Sequence, residues 1–206
     1  PCGPDTEMFV WIEKEKPPKK FDSKNKKWVE IWNDVFMQYE KTSDGKFVEL
    51  KEKNVDTGMG VERTIAMLQG KENVYDTELF LPLLADIRKL AKTKNVRSER
   101  IIADHIRSSV FLLMDGVVPS NLEHGYVLRR LIRNSIRHGR LLGIEDDFTT
   151  TIAEEVIKNY KNDYPLLEKK NVILEELSKE EIRFKKTLSI GLKQFEKLVK
   201  NKEITG

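Results

Sequence analysis

Near residue 75 the hydrophobic period of this sequence changes. Before that point, short runs rich in β-formers alternate with turn residues. Glu7 to Ile12 follows a Gly/Pro turn, and Trp28 to Tyr39 sets Val29, Ile31, Val35 and Phe36 among Trp and Met. Ser43-Asp44-Gly45 then supplies a hairpin-type turn, and a further strand begins near Phe47. The lysine-rich stretch from Lys14 to Lys27, broken by Pro17 and Pro18, is expected to be a solvated loop. From Asp76 onward the apolar residues recur at helical spacing. Leu79, Phe80, Leu83, Leu84, Ile87 and Leu90 form one face, and Arg100 to Met114 forms another through Ile101, Ile102, Ile106, Val110, Phe111 and Leu113. Tyr126 to His138 is expected to stop at Gly139, followed by helices over Phe148 to Tyr160 and Asn171 to Lys200. The last of these carries Leu174, Leu177, Ile182, Phe184, Leu188, Leu192 and Phe195 on its apolar side. The pattern predicts an α+β chain, with an antiparallel sheet and its helix over residues 1–75 and an all-helical domain over 76–206.

Composition narrows the function more than the fold. With 39% hydrophobic residues in 206, a real core can be buried. Lys and Arg total 37 against 34 Asp and Glu, so a net charge of +3 is too small to argue for nucleic acid by itself, and the placement of the basic residues must decide. The single Cys2 excludes an internal disulfide and a multi-cysteine zinc site, and His105, His124 and His138 are too scattered to form a metal set. His105 is expected to pack or to orient a helix pair. No apolar run approaches the roughly 18 residues a membrane span requires, so a soluble, cytoplasmic protein with no membrane partner is expected. A start at Pro1, within a Pro-Cys-Gly-Pro turn, suggests an internal piece of a longer chain.

The chemically suggestive segment runs from Val55 to Arg63. Gly58 and Gly60 lie one residue apart where strand is expected to give way to helix, which removes side-chain bulk so that a flat ligand can lie on the backbone. Asp56, placed at the strand end, offers hydrogen-bond acceptors to an ammonium group. Arg63, in the first helical turn, offers a planar cation to a base or a phosphate. On spacing alone, a Gly-x-Gly turn is more often a loop device than a nucleotide site. The whole word from Asp56 to Arg63, however, resembles motif 3 of class II aminoacyl-tRNA synthetases in the form typical of alanyl-tRNA synthetases. The words Pro1 to Pro4, Glu30 to Gln38 and Tyr75 to Phe80 resemble that family's catalytic domain in its usual order.

The resemblance implies that ATP and Mg2+ serve alanine activation and that alanine is then transferred to tRNA(Ala). Asp56 would hold the amino group of alanine, Asn33 and Val35 would line its pocket, and Gly58 and Gly60 would keep the floor flat. Arg63 would stack on adenine or touch phosphate, as the one catalytic candidate, and Glu30 would lie on the magnesium and phosphate side. Ordinary core packing is an equal reading for Val35, and Trp32 is expected in the core. The family's motif 1 and motif 2 are expected before Pro1, so the piece by itself is not expected to form the adenylate, and its sheet is expected to expose apolar surface and self-associate. The family's editing domain and zinc site are not expected here.

Within the helical domain, Arg129, Arg130, Arg133 and Arg137 fall on one predicted helix, with 130, 133 and 137 on one face and Val127, Leu128, Leu131, Ile132 and Ile136 giving apolar contact. A solvated, salt-bridged face is slightly the more common meaning of such a stripe. The words Ala103 to Ser109, Asp115 to Asn121 and Gly125 to Arg133 also resemble the alanyl-tRNA synthetases, now their tRNA-recognition domain. That likeness implies contact with the tRNA acceptor stem through Arg107, Asn121 and the four arginines, with Asn121 reading a guanine-uracil wobble pair in the RNA minor groove. A partner carboxylate for that pair is expected just beyond Gly206. The rival reading is a non-catalytic RNA-binding or interaction module derived from a synthetase, against which the intact Asp56, Gly58, Gly60 and Arg63 argue.

Overall fold

The computed structural model describes residues 1–200; residues 201–206, the end of the expected helical domain, lie outside the described residues. The chain forms two compact units, Pro1–Phe80 and the segment from Leu81 on.

The first unit is a three-stranded antiparallel sheet in the order β1 (Asp5–Trp11), β2 (Trp28–Lys41), β3 (Phe47–Met59), followed by helix α1 (Val61–Leu68). The β2–β3 hairpin closes at the expected Ser-Asp-Gly turn, where Gly45 takes φ +82°, a conformation that favours glycine, and donates its N–H to the Thr42 carbonyl at 2.9 Å. β2 reaches 14 residues because Val, Ile, Phe, Trp and Tyr recur along it, and both neighbours pair with it. The lysine-rich loop is less free than expected, since Phe21 packs its ring 4.9 Å from Phe9 and 5.4 Å from Trp28.

Three expectations for this unit need correction. The segment Asp56 to Met59 is strand and not a glycine turn, because the long β2 offers it a partner at every residue: Val35 faces Asp56, Asp34 faces Thr57, Asn33 faces Gly58 and Trp32 faces Met59. Asp56 is therefore inside β3, and the change to helix falls at Gly60, the N-cap of α1. Trp32 is only half-buried, with its indole N–H donating to the Thr57 hydroxyl. Met8, Phe36, Phe47, Val48, Val55 and Met59 are exposed on this sheet.

After the 3-10 turn Val74–Asp76, the second unit runs α2 (Leu81–Leu90), α3 (Val96–Met114), α4 (Glu123–Leu141), α5 (Thr149–Tyr160), a 3-10 turn at Pro165–Lys169 and α6 (Lys170–Lys200). Helix expected from Asp76 begins properly at Leu81, with Pro82 in the first turn where no intrahelical N–H is needed. α3 starts before Arg100 because Asn95 caps it, its side-chain oxygen accepting the Ser98 N–H at 3.0 Å. Ile87, Ile102, Ile106, Leu128, Ile132, Ile152, Ile173 and Leu177 are fully buried and form the core. Val127 on α4 and Ile182 and Phe195 on α6 are exposed instead of joining it.

α4 does not stop at Gly139. That residue is buried, and a Cβ there would lie 2.4 Å from the Phe148 ring, so the glycine provides clearance for an aromatic side chain. The helix ends two residues later, before Gly143, which takes φ +76°. No described helix is long and apolar enough to cross a membrane.

Candidate functional site

In the sheet unit, strand register gathers four of the sequence candidates. Asn33 faces Gly58 and Val35 faces Asp56 across β2 and β3, so all four share one sheet face by the two-residue alternation of a strand. On the other side of β2, Asp5 pairs with Val35 and Glu7 with Asn33, which adds two carboxylates to that face. The Asn33 side-chain amide donates to Asp5 Oδ2 at 3.3 Å. A Cβ placed on Gly58 would meet only the Asn33 carbonyl oxygen, at 3.9 Å, so the backbone there is open to an approaching ligand. The result is an exposed, acidic surface with one amide, one small apolar side chain and one bare stretch of backbone. It suits a small molecule carrying an ammonium group. Asp5 and Glu7 were not among the sequence candidates; the signal was the alternation Asp-Thr-Glu just ahead of the expected strand start at Glu7.

Arg63 and Glu30 form a separate pair. The Gly60 N–H donates to the Ile31 carbonyl at 2.8 Å, which sets the start of α1 beside β2. From there the Arg63 guanidinium donates to the Glu30 carbonyl at 3.0 Å and lies 3.7 Å from its carboxylate. Gly60 also makes room for that side chain, since a Cβ would come within 3.3 Å of Arg63 Cδ. Among the described residues no cluster of three His, Cys, Asp or Glu could hold a metal ion.

In the helical unit the turn before α4 is built around another tight glycine. A Cβ on Gly125 would lie 2.3 Å from Ser120 Oγ and 2.5 Å from the Val118 carbonyl, so the turn can close on the helix only over glycine. The Ser120 N–H donates to the Gly125 carbonyl at 3.0 Å, which leaves Asn121 exposed beside α4, its side-chain oxygen accepting from Arg129. The Arg129 guanidinium also lies over the Tyr126 ring, 5.8 Å from its centroid.

Tyr126, Arg129, Arg130, Arg133, Asn134 and Arg137 line a cleft of about 390 Å³ whose far wall is Phe184 on α6. Arg130 and Arg137 are exposed and have no ion pair among the described residues. Arg133 differs: its Nε–H donates to Glu180 Oε1 at 2.5 Å, and its guanidinium covers the Phe184 ring at 5.2 Å. Glu180 and Phe184 were not among the candidates, because their place opposite α4 depends on how α6 packs. Arg107 is not part of the cleft lining; it donates to the Tyr160 hydroxyl at 3.3 Å, in an aromatic cluster with Phe111 and Tyr164. His138 is buried against Ser98, Nδ1 to Oγ 3.0 Å, and His105 lies 3.4 Å from the Asn134 amide, so these histidines serve the α3–α4 packing. Burial pushes the pKa of both below the ordinary value, with the Arg137 charge adding to the effect at His138.

The acidic sheet face with its open backbone, and the helical cleft lined with arginine and aromatic side chains, are the two candidate sites of the chain. The family model for class II (A) tRNA synthetases matches residues 1–206, and the chain belongs to that family. Within it, the chain is similar to alanine–tRNA ligases: 48% identical to that of Borrelia hermsii (strain HS1 / DAH) and 47% to that of Treponema pallidum (strain Nichols), each over 97% of this chain and 35% of the relative. Identity to the alanine–tRNA ligase of Prochlorococcus marinus (strain MIT 9312) is 44%, over 97% of this chain and 24% of the relative. The chain thus spans a quarter to about a third of the length of these relatives.

Proposed function

We propose that this chain supplies the alanine-facing side and motif 3 of an alanine–tRNA ligase site, together with its acceptor-stem recognition surface. The carrying observation is the register that sets Asn33, Val35, Asp56 and Gly58 on one face. Asp56 holds the ammonium group of alanine, with Asp5 and Glu7 adding negative potential. Val35 borders the methyl group, and the open backbone at Gly58 accepts the flat part of the ligand. The alanine carboxylate attacks the α-phosphate of ATP and pyrophosphate leaves. The terminal ribose hydroxyl of tRNA(Ala) then attacks the alanyl carbonyl and AMP leaves. Steps of this kind depend on positioning and on charge neutralisation, which Arg63 offers to adenine or phosphate.

Mg2+ commonly takes one or two carboxylates and completes its shell with phosphate oxygens and water, so a full protein cage is not required. Glu30, placed beside Arg63, is the carboxylate that fits this role. On the helical side, Asn121 is the residue for the wobble pair, and Arg129, Arg130, Arg133 and Arg137 serve the backbone phosphates. Arg107, engaged by Tyr160, contributes from α3 to a lesser degree.

Isothermal titration of the chain with a non-hydrolysable alanyl-adenylate analogue tests the sheet half of this reading. Binding should weaken by about ten-fold or more in Asp56→Asn, which keeps shape and removes charge, since charge-assisted hydrogen bonds are the strong ones. Undiminished affinity in that variant would remove Asp56 from the site.

A further inference from the structure

We infer that Glu180 and Phe184 on α6 are positioning residues for RNA binding, fixing the Arg133 guanidinium as a rigid phosphate-pairing fork and making α6 part of the interface. The inference rests on the proposed role of the α4 cleft. Arg133 is held twice, by the 2.5 Å bond from its Nε–H to Glu180 Oε1 and by the Phe184 ring under its plane. A guanidinium has five N–H donors in one plane, so engaging Nε leaves the others free to pair with phosphate. The Arg133 side chain is 30% exposed and lines the cleft, whereas that of Glu180 is only 2% exposed.

The buried carboxylate needs a reason. A buried ion pair is weak support for stability, and an apolar residue at position 180 would serve packing as well. An acid beneath an RNA-facing arginine patch also lowers the potential that attracts phosphate. Arg183, 3.7 Å from the other Glu180 oxygen, offsets part of that charge. What remains distinctive is geometry. Arg130 and Arg137 project into solvent and must be ordered when RNA binds, whereas Arg133 is ordered beforehand, which reduces the entropy lost on binding.

Simple electrostatics and positioning predict opposite signs. If Glu180 were only a counter-charge, Glu180→Gln would tighten RNA binding. If it positions Arg133, the same change weakens it. The test is fluorescence anisotropy of an alanine-tRNA acceptor minihelix across a salt series, with the intact chain and the variants Glu180→Gln, Phe184→Leu, Arg133→Ala and Arg133→Ala/Glu180→Gln. We expect Glu180→Gln to bind about three- to ten-fold more weakly, with the log–log salt slope reduced by up to about one, as for loss of one phosphate contact. The double variant should bind no more weakly than Arg133→Ala.

Equal or tighter binding by Glu180→Gln overturns the inference, and so does a Glu180→Gln penalty that persists in full on the Arg133→Ala background. Phe184→Leu keeps the ion pair and removes the aromatic face; it should weaken binding in the same sense, and it decides the matter if circular dichroism shows Glu180→Gln unfolded. Absence of minihelix binding by the unmodified chain, or binding indifferent to Arg130→Ala and Arg137→Ala, instead overturns the reading of the cleft and this inference with it.

Discussion

The sheet unit and the helical unit hold their candidate side chains by different means. Among the described residues before Leu81, only Ala66, Thr77 and Phe80 are buried, and Asp56 and Gly58 stand on an exposed surface. Their placement comes from backbone pairing along a long β2, and no candidate side chain on that face is needed for a core. In the helical unit the core is deep, and buried carboxylates reach from it to polar groups: Glu99 to Arg88 at 2.7 Å, Glu180 to Arg133, and Glu181 to the start of α5. There, the core and the proposed RNA-facing cleft share side chains. The contrast teaches that substitutions in the sheet face should separate binding from stability, whereas those around α6 should couple them.

The largest expected effect is at Glu181, which has no solvent exposure. One of its oxygens accepts the Thr149 N–H at 3.0 Å and the Thr149 hydroxyl at 2.5 Å, and the other accepts the Phe148 N–H at 3.2 Å and pairs with Lys185 at 3.2 Å. α5 has no cap from its own N-cap side chain, so α6 supplies it. Glu181→Ala should cost about 3–5 kcal/mol, because it leaves the buried Phe148 and Thr149 donors without an acceptor, while Lys185 keeps Asp147 at 2.7 Å. Urea unfolding followed by circular dichroism measures this; a loss below 1 kcal/mol would mean that water or a neighbour replaces the carboxylate.

How much was visible in the sequence follows the same division. Helical periodicity revealed the five α-helices among the described residues of the second unit to within a few residues, because each buries a face of its own. It failed at Gly139, where the glycine answers to Phe148 nine residues on, and at Glu180 and Glu181, which reach across to Arg133 on α4 and Thr149 on α5. In the sheet, Asp56 and Gly58 were chosen from the family word, yet their conformation was misjudged, since only pairing with Asn33 and Val35 makes strand of a glycine-rich segment. Asp5 joins that face through its pairing with Val35 and the hydrogen bond it accepts from Asn33. Local pattern reveals elements; partners across elements need the fold.

A smaller effect should distinguish the units by pH. All three histidines belong to the helical unit. Burial lowers the pKa of His105 and His138 in the folded state. Between those lowered values and the ordinary histidine value near 6.5, the unfolded chain binds more protons than the folded one, so stability rises with pH in that window. It is fully present above about pH 6.5 and is lost as pH falls toward the folded values. Thermal melts from pH 7.5 to 5 should therefore show the helical transition moving down on acidification, and His138→Gln should flatten that dependence. A melting temperature of the helical unit that holds or rises toward pH 5 would show that these rings are not buried neutral.

The smallest effect on folding, and the sharpest use of the contrast, is expected at Gly58. An added Cβ there meets nothing nearer than 3.9 Å, and the residue takes no positive φ, so alanine strains neither packing nor backbone. It also removes some freedom from the unfolded chain. Gly58→Ala should leave stability within about 0.5 kcal/mol of the parent, while its methyl group stands on the face shared with Asn33 and Asp56, where a ligand lying on the backbone must meet it. Paired measurements of urea unfolding and alanyl-adenylate-analogue binding should thus change one and spare the other. If both hold, the ligand does not lie over this strand; if both fall, the sheet face is coupled to folding as tightly as α6, and the distinction between the two units fails.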